Sequence, residues 1–164
     1  MPLYDYFRAA GHDEARTTAL RPGGPLGRND LADGVDGLAV KNLDPVAAMG
    51  RLLALVLDVD WSTGLHDSAT IWPTDPQPRD WGDVSEESPW VTGPWVVGLG
   101  RKFRDSLASV DDRRLPEISH QWQSVAELRG MNASTWALET VESFVGLSRR
   151  ARDAEHSLFC WCCL

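Results

Sequence analysis

Val46, Met49, Leu52, Leu53, Val56 and Leu57 recur every three or four positions, the spacing that gathers apolar side chains on one face of a helix. Asp44 and Pro45 mark where that helix starts, because the carboxylate accepts an orphan backbone N–H and proline brings no donor of its own. The same period predicts a helix through Leu99, Phe103, Leu107 and Val110, and a weaker one through Leu115, Ile118 and Trp122. A long last helix follows from Ala137, Val141, Phe144, Ser148 and Ala151, with Asn132 or Ser134 as its cap and Arg149, Arg150 and Arg152 near its C-terminal end, where the dipole favours cations. A short helix over Glu14 to Leu20 stops at Pro22–Gly23–Gly24–Pro25.

Elsewhere the period falls to two. In "PLYDYFRAA", Leu3, Asp5 and Phe7 alternate with Tyr4, Tyr6 and Arg8, which predicts a strand with at least one wet face. Short strands are predicted in "GLAVKNL" (37–43) and "PWVVGL" (94–99). The chain ends on "HSLFCWCCL", where Leu158, Cys160, Cys162 and Leu164 point one way and Phe159, Trp161 and Cys163 the other. Both faces are apolar, as in a strand covered on both sides. Together these elements predict one α/β (α+β) domain over 1–164, with the first and last strands paired in a central mixed or antiparallel sheet and the helices packed on it.

Neither period survives in residues 61–95, where Trp61, Trp72, Trp81, Trp90 and Trp95 are interleaved with Pro73, Pro76, Pro78, Pro89 and Pro94. The stretch reads as a long loop inserted in the domain, and its aromatic content argues against plain disorder. Acidic residues at 67, 75, 80, 83, 86 and 87 face Arg79 alone, so the segment is strongly negative. Rigid rings beside carboxylates suit the capture of a basic protein, as immunity proteins capture toxins. Trp72, Trp81 and Trp90 would be the contact rings, and Asp75, Asp80, Asp83, Glu86 and Glu87 the steering charges. The alternative is that the rings fold back as a cover over the sheet.

Charge narrows the partners further. The net charge of −8 opposes binding to nucleic acid or an anionic membrane surface. The longest apolar runs, such as "LLALVL" (52–57), are far short of the roughly 20 residues that cross a bilayer. The first residues, "MPLYDYFRAAGHDEAR", carry charge where an export signal needs its apolar core, and the three cysteines are an odd number crowded at one end, so a reduced cytoplasmic setting is expected.

Candidate chemistry is sparse. Cys160 and Cys162 share a strand face and, with His156, are the one set that could hold a metal or act as a thiol centre, although buried packing is the commoner role of free cysteine. No cofactor is called for. His12, His66, His120 and His156 are scattered, and the glycine clusters "RPGGPLG" and "VVGLG" complete no phosphate-binding pattern. Carboxylate pairs such as Asp58 with Asp60, or Asp111 with Asp112, read as solvated surface. An enzyme has no support at the level of residues, which leaves a protein-binding module and a small metal or thiol protein as the two readings.

The order of elements resembles the YfbM-like bacterial family (domain of unknown function 1877): the opening "YDYFRAA", the helix start at "NLDPVAAM", then "GPWVVGLGRKFRDSLASVDDRRL" leading to "SVAEL", and a long helix running into "SRRARDAEHSLFCWCCL". The resemblance covers most of the chain and treats the tryptophan–proline stretch as an enlargement. It implies a compact α/β cytoplasmic domain of unassigned function, with self-association left open, and it carries over no catalytic residue.

Overall fold

The computed structural model describes residues 3–27, 34–125, 128 and 134–163. In chain order the elements are β1 (Leu3–Ala9), α1 (His12–Ala19), β2 (Gly37–Lys41), α2 (Ala47–Leu57), β3 (Ala69–Trp72), a single turn α3 (Pro89–Thr92), β4 (Trp95–Gly98), α4 (Gly100–Ser109), α5 (Leu115–Trp122), α6 (Ser134–Asp153) and β5 (Ser157–Cys163). The strands form one sheet in the order β2-β1-β5-β4-β3, every neighbouring pair antiparallel. The first and last strands pair along their whole length, from Leu3 opposite Cys163 to Ala9 opposite Ser157. Ser134 is the first residue of α6 rather than the cap before it, while Asn132 and Leu164 lie outside the described residues.

The two faces of the sheet are buried by different means. On one, Tyr6, Leu158, Cys160 and Cys162 pack against the apolar stripes of α2, α4, α5 and α6. Residues predicted to make those stripes, among them Leu52, Phe103, Ile118 and Phe144, are buried. On the other face, Phe7, Phe159, Trp161 and Val96 are covered by Ala15 and Ala19 of α1 and by Leu26. Gly24 lies on the Trp161 ring with φ +83, and a Cβ there would come within 3.1 Å of the indole. Only glycine combines that backbone with that approach.

Two expectations change. β1 has no wet face at its centre, since Tyr6 and Phe7 point opposite ways and both are buried; as an interior strand it has α6 on one side and α1 on the other. The stretch 61–95 is not without regular structure, because β3 and α3 lie in it and β3 is an edge of the sheet. Asp44 starts α2 much as its sequence suggests: its Oδ1 accepts from the N–H groups of Val46 at 2.8 Å and Ala47 at 2.6 Å. Among the described residues, no helix is long and apolar enough to cross a membrane.

Asp36 ties three parts of the fold together just before β2. Its Oδ2 accepts from Arg8 Nε on β1 at 2.7 Å and from Arg150 Nε on α6 at 2.7 Å, and Arg150 also reaches Oδ1 at 2.8 Å. The Arg150 hydrogen bonds, followed by those of Arg8 against the opposing effect of burial, bring the carboxyl pKa down to about 2. A carboxylate depressed in the folded state stabilises above its unfolded pKa, and that contribution is lost as pH falls through the folded one. Asp36→Asn is therefore expected to cost about 1–2 kcal/mol at neutral pH, with the gap from the parent closing as pH drops from 3.8 towards 2. Urea unfolding at a series of pH values checks this, and a gap independent of pH would refute it.

Candidate functional site

Register places the tryptophan–proline segment. β3 ends at Trp72 and β4 begins at Trp95, at the end of the sheet where β1 starts and β5 finishes. Residues 73–94 leave from that end and return to it. Cis peptide bonds precede Pro73 and Pro94. Within the excursion, Ser88 Oγ accepts from the Trp90 backbone N–H at 3.3 Å to start α3, and Asp80 Oδ1 accepts from the Gly82 N–H at 2.9 Å. These local bonds hold turns that proline alone would leave without donors.

The three predicted contact rings have separate positions. Trp72 is half-buried against the cluster around Ile71 and Phe159, so it anchors the excursion to the sheet. Trp90 is half-buried as well, and its indole N–H donates to the Asp75 carbonyl at 3.2 Å, closing the excursion across its base. Trp81 is 53% exposed. Asp75, Asp80, Asp83, Glu86 and Glu87 are all exposed, and among the described residues none is in an ion pair. The excursion thus presents one large ring among five carboxylates, with two other rings fixing its base.

The cysteines are arranged differently. Cys160 is fully buried and Cys162 nearly so, with their sulfurs 3.7 Å apart on the helical face. Burial, then the neighbouring Cys162, pushes the Cys160 thiol well above its usual pKa, so it is a poor nucleophile. His156 does not join them. It precedes Cys160 by four residues, about 13 Å along an extended strand, and its Nδ1 accepts from Arg8 at 3.1 Å. Among the described residues, no group of three or more His, Cys, Asp or Glu is placed to hold a metal ion. With an aromatic disulfide reagent, half-buried Cys163 is expected to react first and Cys160 only on unfolding. Fast modification of Cys160 in the folded protein would contradict this burial.

One buried polar group escaped the sequence reading. His66 is 4% exposed and packs edge-on against Phe103, and neither ring nitrogen has a partner among the described residues. Burial lowers its pKa, which keeps the ring neutral. Trp61 Nε1 is likewise unpartnered among the described residues, and Arg51 lies 4.4 Å above the Trp61 ring. Both rings approach Gly50 of α2, where a Cβ would fall 2.7 Å from Trp61 Nε1. Gly50 alone hinted at this, as a small residue inside an otherwise bulky helical stripe. Compared with family models, curated proteins and solved structures, the chain matches none.

Proposed function

We propose that this protein is a non-catalytic binding module that captures a basic protein through the excursion at 73–94, in the manner of an immunity protein. The observation that carries the reading is Trp81, more than half exposed on a segment whose five carboxylates are unpaired among the described residues. An exposed, rigid indole is the kind of side chain that anchors an interface by filling a pocket on the partner, and unneutralised carboxylates around it speed encounter with a positive surface. The half-buried Trp72 and Trp90 support the same reading, since a segment anchored at its base loses less entropy on binding than a free loop. A reduced cytoplasmic setting fits three cysteines that form no disulfide, and the resemblance of the layout to the YfbM-like family is part of this proposal.

The test is capture of interacting proteins from the native cell by the whole chain, its Trp81→Ala variant, and a variant with Asp75, Asp80, Asp83, Glu86 and Glu87 changed to lysine. The unaltered chain is expected to retain a basic protein that both variants lose, with association slowing as salt rises. Retention of the same protein by the charge-reversed variant would end the proposal.

A further inference from the structure

Antiparallel register brings together three residues that the sequence keeps far apart. Cys162 on β5 stands directly opposite Tyr4 of β1 on one side and Trp95 of β4 on the other. All three lie on the helical face of the sheet. Neighbouring strands are about 4.8 Å apart, so the two aromatic residues flank the small thiol at a backbone separation of about 10 Å. A short side chain between two long ones leaves a notch. Here the notch is a cavity of about 270 Å³, lined also by Val97, Thr70, Cys163 and the residues that lead into α2, Asp44, Pro45 and Val46.

The lining selects a ligand. Its walls are mainly apolar and aromatic, and the single charged residue in them is Asp44. Asp44 spends Oδ1 on the Val46 and Ala47 N–H groups, while its other carboxylate oxygen has no partner among the described residues. An anion finds no cation in the lining, and the helix N–H groups that would otherwise attract it already hold Asp44. A primary ammonium needs three acceptors placed around it, and beside Asp44 the side chains of the lining offer only the Tyr4 and Thr70 hydroxyl oxygens among apolar walls. A methylated ammonium has few or no donors, gains from an aromatic face and is balanced by one carboxylate. Tyr4 remains a neutral wall, its pKa pushed up to about 12 by burial and then by Asp44.

We infer that the cleft between Tyr4, Cys162, Trp95 and Asp44 binds a small methylated ammonium group. Choline supplies that group as a free molecule, and trimethyllysine as a side chain. The assignment is independent of the excursion, so Trp81→Ala leaves it intact.

The experiment is a calorimetric or NMR titration of the whole chain with choline, with its uncharged isostere 3,3-dimethylbutan-1-ol, and with a short trimethyllysine peptide. Saturable binding of choline or the peptide is expected, with the uncharged isostere weaker by about tenfold or more. The tighter of the two charged ligands identifies the source. Asp44→Asn keeps an oxygen for the α2 cap and removes the charge, so it is expected to weaken binding by a similar factor with little change in the melting curve. Failure of both charged ligands to saturate overturns the inference, as does equal binding of the isostere. The isostere comparison uses unaltered protein and holds whether or not the variant folds.

Discussion

Replacing Trp122 by alanine is expected to lower the unfolding free energy by about 3–5 kcal/mol, the range for removing a large ring from a packed core. Trp122 is completely buried at the end of α5. Its indole N–H donates to the Ala48 carbonyl at 3.0 Å, linking α5 to the first turn of α2, and its ring stacks on Trp136 of α6 at 6.0 Å. Truncation opens a cavity where three helices meet, and no single side chain can fill it. Trp122→Phe separates the contributions: it keeps most of the volume and loses the donor, so a smaller loss of about 1–2 kcal/mol is expected. Urea denaturation measures both, and the account fails if the alanine variant loses less than the phenylalanine one.

The second large effect concerns backbone rather than volume. Gly100, where β4 turns into α4, has φ +77, and a Cβ there would lie 2.7 Å from the Asp67 carbonyl oxygen. Gly100→Ala thus meets two penalties. The left-handed conformation costs a non-glycine residue about 1–3 kcal/mol, and the carbonyl is backbone that cannot swing away as a flexible side chain can. A total of about 2–4 kcal/mol is expected. Gly98, two residues earlier, is the control: its φ is not left-handed and a Cβ there would meet Phe159 at an ordinary 3.6 Å. Thermal melts should show Gly98→Ala close to the parent and Gly100→Ala far below it. Equal shifts would mean that turn geometry is not the cause.

What could be read along the chain was local. Leu99, Phe103 and Leu107 repeat within a few residues, so the helix they define is written in one window, and the same holds for Ala137 to Ala151. The alternation of Leu158 to Cys163 correctly implied a strand covered on both faces, because each face of such a strand needs its own apolar set. β3 was hidden: "ATIW" is four residues long among prolines, and what makes it a strand is pairing with β4. The candidate rings were found by residue type alone, which cannot tell Trp81 in solvent from Trp72 anchored to the sheet.

Sequence by itself determined the five longer helices, the two-sided burial of the last strand, the acidity of the excursion and the capping of α2 by Asp44, since each depends on neighbours within a turn or two. Tertiary structure alone decided that Asp36 would gather Arg8 and Arg150, and that Tyr4, Cys162 and Trp95 would stand in one row. These residues lie far apart along the chain. Which of them meet is set by strand register and helix packing, and register follows from burying the apolar faces of the whole sheet at once.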